Sequence, residues 1–142
     1  DEKLGMARQL GASATINSSE EGAAEKLMEL TEGGARSIVD FVGAEASVNF
    51  GYNLLARGGS YVIVGLFGGQ ISIPLPMQAL LEKKLMGSYV GSLGDMAELM
   101  ELVVAGKIDP VAVETRDVSQ ANETLEQMKD GKLLGLVALT HN

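Results

Sequence analysis

The fold is decided by one stretch of the sequence, Tyr61-Val62-Ile63-Val64-Gly65-Leu66. Its residues are mostly apolar, and polar residues do not alternate with them. A continuous apolar run of this length is typical of a strand that is covered on both faces, as in a parallel sheet. A second run, at residues 37–42, has the same character apart from the carboxylate of Asp40 near its end. With a helical pattern between them, the two runs predict a right-handed crossover and an open α/β fold.

Further elements alternate around these two strands. The pattern predicts helices at about 2–10, 20–31, 44–56, 77–82, 92–105 and 119–130, and strands at 14–16, 71–73, 85–90, 110–115 and 135–140. Asp1 and Ser119 are predicted to cap the first and last helices, and the glycine pairs 33–34 and 58–59 are predicted to end helices. Residues 96, 99, 100 and 103 are predicted to form the inner face of the fifth helix. The regular alternation stops at 91–94, which predicts two parts, 1–90 and 91–142.

Composition excludes several classes of function. The chain carries 19 acidic and 11 basic side chains, a net charge of −8, and has no cluster of Lys or Arg, so neither nucleic acid nor an anionic membrane surface is an expected partner. No apolar run of about 18 residues predicts a membrane span, and no signal peptide is evident. There is no cysteine, and the single histidine is His141, so this chain alone supplies neither a metal site nor a catalytic triad. The lack of cysteine fits a reducing compartment, and a cytoplasmic location is expected.

Several short motifs together resemble the medium-chain, zinc-dependent alcohol dehydrogenases. They are Glu2-Lys3-Leu4, Ala7 to Ala12, Ile16-Asn17, Asp40-Phe41-Val42-Gly43, Gly58-Gly59, Val64-Gly65-Leu66, Gly87 to Gly91, Gly106-Lys107-Ile108, Ala121-Asn122 and Gly131-Lys132. Each motif is weak, but the set is specific and covers essentially all 142 residues. The resemblance implies the C-terminal portion of a longer enzyme. Residues 1–90 would be a partial Rossmann-type parallel sheet lacking its first two strands, and 91–142 the C-terminal tail of the catalytic domain.

The resemblance also implies a set of cofactor-binding residues: Lys3 at the adenosine ribose, Phe41, Val42 and Gly43 at a strand end, Val64 and Gly65 beside the nicotinamide, and the backbone of Ser88 and Val90 at its carboxamide. The cofactor would be NAD or NADP. It implies no catalytic residue and no metal ligand in this chain, because the family's zinc ligands lie upstream of Asp1. Asp40 is interpreted as a hydrogen-bond partner at a strand end. One departure stands out, since Leu136 occupies the place where many relatives carry an arginine that contacts the cofactor phosphates.

The parent enzyme would transfer hydride between an alcohol or aldehyde and nicotinamide, and this segment alone would be inactive. Two alternatives stay open, a segment of a zinc-free quinone or enone oxidoreductase that uses NADPH, and a free-standing nucleotide-binding or assembly module. Residues 69–90 resemble the region through which the family dimerises, so a homodimer is expected. The strand at 14–16 would lack its family neighbours and is expected either to pair elsewhere or to be poorly ordered.

Overall fold

Three parallel strands form the larger sheet of the described residues, β1 (Ala35–Asp40), β2 (Leu55–Ile63) and β3 (Lys84–Gly87), in the order β1-β2-β3. The computed structural model describes residues 2–109 and 111–141. The chain divides into two compact units, 1–90 and 91–142. The predicted helix cap Asp1 and the predicted strand start Pro110 lie outside the described residues. The α/β class and the parallel pairing of the two apolar runs are confirmed.

Four helices accompany this sheet, α1 (Glu2–Gln9), α2 (Ala23–Leu30), α3 (Glu45–Asn53) and α4 (Leu75–Leu80). Helix α3 makes the crossover from β1 to β2. Helices α1, α2 and α3 are shorter than predicted, and α4 has the predicted length but begins two residues earlier. Helix α3 ends at Asn53 because β2 already begins at Leu55. No helix in the described ranges is long and apolar enough to cross a membrane.

The core of the first unit lies between α3 and the sheet. Val48 and Tyr52 of α3 pack with Leu55 and Tyr61 of β2, and all four side chains are buried. The rings of Tyr52 and Tyr61 are tilted by 60° with centroids 6.5 Å apart, a favourable arrangement for an aromatic pair. The register places Asp40 beside Ile63 and Ile63 beside Gly87, so the three strands end level with one another at their carboxyl ends.

Two predicted strands are not formed. Residues 14–16 belong to no described sheet, because a three-residue stretch becomes a strand only beside a neighbour that accepts its backbone hydrogen bonds, and none of the described strands lies there. The prediction of a strand at 71–73 is also wrong. Ile71 and Ile73 instead pack their side chains on the α3–sheet core, and Pro74 ends the segment as the N-cap of α4.

The glycine pair 58–59 does not end a helix. Helix α3 stops at Asn53, and both glycines lie inside β2, where the pairing with β1 shifts register between Ala35 and Ser37. A Cβ on Gly59 would lie 2.8 Å from the carbonyl oxygen of Ala56 and 3.0 Å from that of Ala35. The glycine therefore serves close backbone approach at a bulge and not a helix cap.

The second unit contains α5 (Leu93–Val104), β4 (Val113–Asp117), a 3₁₀ turn (Val118–Gln120), α6 (Ala121–Lys129) and β5 (Leu136–Thr140). Strands β4 and β5 are paired in parallel. Ser92 and Asp95 form a capping box that starts α5, with Ser92 N–H donating to Asp95 Oδ2 at 2.6 Å and Asp95 N–H donating to Ser92 Oγ at 3.2 Å.

Two predictions in the second unit are wrong. The predicted inner face of α5 is mainly exposed, with Met96, Leu99 and Met100 each more than two fifths accessible, because no described segment covers it. Ser119 does not cap the last helix: it lies inside the 3₁₀ turn, whose N-cap is Asp117, and α6 follows this turn with Gln120 as its N-cap. The Asp117 carboxylate accepts the N–H of Ser119 at 2.9 Å, which starts the 3₁₀ turn two residues earlier than the sequence pattern indicates.

Candidate functional site

The carboxyl ends of β1, β2 and β3 form one continuous edge, here called the carboxyl edge. Phe41, Val42 and Gly43 follow β1, Val64 and Gly65 follow β2, and Ser88 and Val90 follow β3. The structure thus brings seven of the eight predicted site residues to the same edge. All of these except Gly43 were predicted to lie inside strands, but they lie just beyond the strand ends. Lys3 lies exposed in α1, and no described hydrogen bond or ion pair joins it to this edge.

Asp40, the last residue of β1, organises the loop that follows it. Its side chain is buried, and its Oδ1 accepts the N–H of Val42 at 2.8 Å and that of Gly43 at 3.0 Å. Its Oδ2 accepts the hydroxyl of Ser47 at 2.8 Å and that of Tyr61 at 3.0 Å. Both carboxylate oxygens therefore have two donors each, which is what a buried charge requires.

The electrostatics of this cluster favour the ionised carboxylate. Desolvation by burial opposes the charge, but the hydrogen bonds from Gly43, Ser47, Val42 and Tyr61 outweigh it and lower the pKa of Asp40 below its ordinary value of 3.8. Burial, together with the hydrogen bond to and the charge of Asp40, raises the pKa of Tyr61 well above 10.0. At neutral pH the pair is a carboxylate that accepts a hydrogen bond from a neutral phenol, so neither group is poised for acid–base chemistry.

The backbone joins the first two loops of the carboxyl edge. The Asp40 carbonyl accepts the N–H groups of Val64 at 2.8 Å and Gly65 at 3.0 Å. Further on, Phe67 N–H donates to the Val42 carbonyl at 3.1 Å and Gly68 N–H to the Gly43 carbonyl at 3.0 Å. The two loops therefore run side by side as a hydrogen-bonded pair beyond the ends of the strands.

Two glycines permit this close approach. A Cβ on Gly65 would overlap the backbone of Val42, and a Cβ on Gly43 would overlap the carbonyl group of Gly65. Gly43 also has φ 65°, a conformation that L-residues other than glycine seldom adopt. Both positions need glycine because backbone meets backbone there.

The surface of the carboxyl edge is apolar and exposed. Phe41 is 76%, Val42 54% and Val90 77% accessible. Ser88 uses its N–H in a bond to the Ile63 carbonyl at 2.9 Å, so its carbonyl and side chain are the groups left for a ligand. Val90 has φ 47°, which is strained for a β-branched residue.

The side chains and backbone groups at the carboxyl edge decide which ligand or metal ion it could bind. A neutral heteroaromatic ring with one amide substituent requires an apolar wall and a few fixed backbone partners, and the edge offers both. Zinc requires thiolate, imidazole or carboxylate ligands. No group of three or more such side chains among the residues that the structure describes could hold a metal ion, so these residues do not fit zinc.

Sequence reasoning identified Asp40 as a hydrogen-bond partner but missed Ser47 and Tyr61. A signal was present, since Tyr61 is the one side chain with a polar group in its apolar run and Ser47 lies near the start of the helix predicted after the first apolar run. A carboxylate at the end of an apolar strand needs hydrogen-bond donors, and the hydroxyl groups of these two residues supply them.

An open sheet of parallel strands with glycine-containing loops at its carboxyl edge defines the class of α/β proteins that bind ligands at that edge. Within that class the sequence decides the family. The sequence profile of the family described as "Zinc-binding dehydrogenase" matches residues 1–105, and the chain belongs to this family. The resemblance drawn from the short motifs is therefore confirmed.

Individual relatives agree with this assignment. The chain is 32% identical over 136 residues to an NAD-dependent alcohol dehydrogenase of Sulfurisphaera tokodaii, covering 95% of this chain and 39% of the relative. Among solved structures, the alcohol dehydrogenase of Aeropyrum pernix superposes with a TM-score of 0.86 at 35% identity, over 94% of this chain and 38% of that one. The chain thus spans about two fifths of the length of these relatives.

A quinone oxidoreductase of Pseudomonas syringae pv. Tomato also superposes, with a TM-score of 0.74 over 97% of this chain and 46% of that one. Its identity is 22%, so the likeness shows a shared fold and nothing about chemistry. The comparisons support the alcohol dehydrogenase interpretation and give no support to the quinone reductase alternative.

Proposed function

We propose that this chain forms the nicotinamide-facing part of an NAD-linked alcohol dehydrogenase. Residues 1–90 would carry the later strands of the cofactor domain, and 91–142 would belong to the catalytic domain. The observation that carries the proposal is the carboxyl edge. Three parallel strands end level there, and the loops that follow present apolar side chains and backbone groups held by hydrogen bonds. The relatives named NAD-dependent alcohol dehydrogenase support NAD as the cofactor and an alcohol or aldehyde as the substrate.

Each predicted residue keeps its proposed role at this edge. Phe41, Val42 and Gly43 would border the cofactor from β1, Val64 and Gly65 from β2, and Ser88 and Val90 from β3. Lys3 would act separately, at the adenosine ribose. The chemistry that NAD supplies when bound is hydride acceptance at its nicotinamide ring. The residues of this chain would hold one face of that ring against an apolar surface and keep water from it.

A titration of the protein at its full natural length with NADH tests the proposal. Phe41→Asp places a carboxylate on the apolar edge and is expected to weaken NADH binding about tenfold. Leu30→Asp is the matched control, because Leu30 is also apolar and exposed (53%) but lies at the end of α2, before the amino end of β1. Equal affinity in the two variants, or absence of NADH binding by the unsubstituted protein, would contradict the proposal.

A homodimer through residues 69–90 is proposed on the exposed apolar side chains of that region. Leu75 is 77% and Leu80 64% accessible, and Tyr89 is 73% accessible. Exposed apolar groups at this density mark an interaction surface. Leu75→Glu should shift the protein from dimer to monomer in sedimentation velocity, whereas Leu10→Glu, at a similarly exposed position in another region, should not.

A cytoplasmic location is also proposed, supported by a sequence that contains no cysteine and needs no oxidising compartment to fold. Cell fractionation with an antibody to the protein would test it, and recovery in a membrane or secreted fraction would contradict it.

A further inference from the structure

Asp40 is the point at which the first two loops of the carboxyl edge are joined. Its carboxylate receives Val42 N–H, Gly43 N–H, Ser47 Oγ and Tyr61 OH, and its carbonyl receives the N–H groups of Val64 and Gly65. The residue thus binds the loop after β1 through its side chain and the loop after β2 through its backbone. No other described residue is shown with hydrogen bonds to both loops from both its side chain and its main chain.

The partners of Asp40 come from rigid elements. Ser47 lies in the first turn of α3, where its hydroxyl also accepts the N–H of Ala44 at 3.1 Å. Tyr61 lies in the middle of the sheet and is 1% accessible. A carboxylate fixed by a helix on one side and a strand on the other has little freedom, so the two backbone amides that it binds are held equally firmly.

We infer that Asp40 is a positioning residue for the cofactor, which sets the place of Phe41, Val42 and Gly43 relative to Val64 and Gly65 through hydrogen bonds and does not touch the cofactor itself. The inference rests on the proposed function of the carboxyl edge. On this inference the Asp40–Ser47–Tyr61 cluster affects cofactor affinity as well as the stability of the fold. Small displacements of groups that border a bound molecule lower affinity strongly, which is why such a residue would affect binding from a distance.

Three variants of the protein at its full natural length separate positioning from stability. Asp40→Ala removes all four side-chain hydrogen bonds and should raise the dissociation constant for NADH about tenfold. Asp40→Asn keeps an amide oxygen that can accept the N–H groups of Val42 and Gly43, so it should recover most of that loss. Leu55→Ala is the control, because Leu55 is equally buried in the same core but starts β2 at the opposite end of the sheet.

The control should lower the melting temperature and leave the dissociation constant for NADH within about twofold of the unsubstituted protein. Amide hydrogen exchange supplies a second readout. Asp40→Ala should speed exchange at Val42 and Gly43 in the absence of cofactor, whereas Leu55→Ala should not. A loss of NADH affinity that follows melting temperature alone across all three variants would overturn the inference.

The outcomes also distinguish this inference from the proposed function. If the unsubstituted protein does not bind NADH, the proposed function is wrong. If it binds NADH and folded Asp40→Ala binds equally well, only the positioning role is wrong. Should Asp40→Ala fail to fold, Ser47→Ala decides, since it removes one donor at Oδ2 and should raise the dissociation constant about threefold. An unchanged constant in Ser47→Ala would then overturn the inference.

Discussion

The hydroxyl of Tyr61 lies 3.0 Å from Oδ2 of Asp40, a hydrogen bond that joins β2 to the end of β1 inside the core. The same hydroxyl lies 3.0 Å from the carbonyl oxygen of Ser47, so its single proton is shared between a carboxylate and a helix carbonyl. The contact therefore links strand, neighbouring strand and helix at one buried point. Its removal would leave a buried charge with one donor fewer.

Replacing Tyr61 by Phe is expected to lower the free energy of unfolding by about 1–3 kcal/mol, because the Asp40 carboxylate stays buried with one donor fewer. Tyr52→Phe is the control. Tyr52 packs against Tyr61, and its hydroxyl is buried without a hydrogen-bond partner among the described residues. Its removal should be neutral or stabilising. Urea unfolding followed by near-ultraviolet circular dichroism measures both, and an equal loss in the two variants would contradict the role of the Asp40 contact.

Stability should fall in acid partly through Asp40. Its pKa is lower in the folded protein than its ordinary value of 3.8, so the folded state binds fewer protons in this range. Its contribution is fully present above the unfolded pKa and is lost as pH falls through the folded one. The unfolding free energy of the unsubstituted protein should therefore drop more steeply below about pH 5 than that of Asp40→Asn. Parallel pH profiles for the two proteins would contradict this.

The difference between the two profiles is needed because other carboxylates contribute. Hydrogen bonds involving Ser92 lower the pKa of Asp95, and those involving Arg116 and Ser119 lower the pKa values of Glu114 and Asp117 respectively. All three belong to the second unit and are unaffected by Asp40→Asn. These three carboxylates contribute equally to the pH dependence of the unfolding free energy in both proteins, so the difference between the two profiles reports Asp40.

The strands that carry the carboxyl edge could be predicted because their signal is local. The apolar runs around Ile38 and Tyr61 bury side chains on both faces, and this is visible in the sequence itself. The strands at 14–16 and 71–73 could not be assessed in this way. Whether a three-residue stretch becomes a strand depends on a neighbouring chain segment, which no local pattern reveals. The prediction that one face of α5 is buried failed for a related reason. Amphipathicity shows that a face is apolar but not that another segment covers it.

The positions of the candidate residues could be predicted, but the contacts that fix those positions could not. Resemblance placed residues 41–43, 64–65, 88 and 90 together, and the parallel sheet then brought them to one edge. The Asp40–Tyr61 contact spans 21 residues and depends on the register of β1 against β2. A register shift of one residue would direct Tyr61 to the other face of the sheet, so no pattern within either strand could predict the pair.

Gly65→Ala is expected to destabilise the first unit by about 1–3 kcal/mol and to weaken cofactor binding, because its Cβ would overlap the Val42 backbone. Gly87→Ala is a close control. Gly87 ends the neighbouring strand at the same edge, has no positive φ, and has no atom within 4 Å of an added Cβ. Melting temperature and NADH titration should separate the variants. If Gly87→Ala lowers the melting temperature and the NADH affinity as much as Gly65→Ala does, overlap of the added Cβ with the Val42 backbone is not the cause.

Arg116 links β4 to α6 in the second unit, and its replacement should lower the stability of that unit. Its Nη1 donates to Gln127 Oε1 at 2.9 Å and to Thr124 Oγ1 at 3.2 Å, and its Nε donates to Glu114 Oε1 at 2.7 Å. The fork thus joins β4 to α6, and only 15% of the side chain is exposed. Arg116→Gln should lower the stability of this unit, read as faster amide exchange in β4 and β5.

Lys132→Gln is the control for that prediction. Lys132 pairs with Asp130 at 2.8 Å, but both side chains are more than half exposed, and exposed pairs contribute about 0–1 kcal/mol. Arg116→Lys adds a further arm, because an ammonium group keeps the charge but cannot reach all three partners with fixed geometry. It should fall between the unsubstituted protein and Arg116→Gln. Exchange rates in β4 of Arg116→Lys that match those of Lys132→Gln would show that the charge alone, and not the fork, stabilises this unit. The same match in Arg116→Gln would contradict any stabilising role of Arg116.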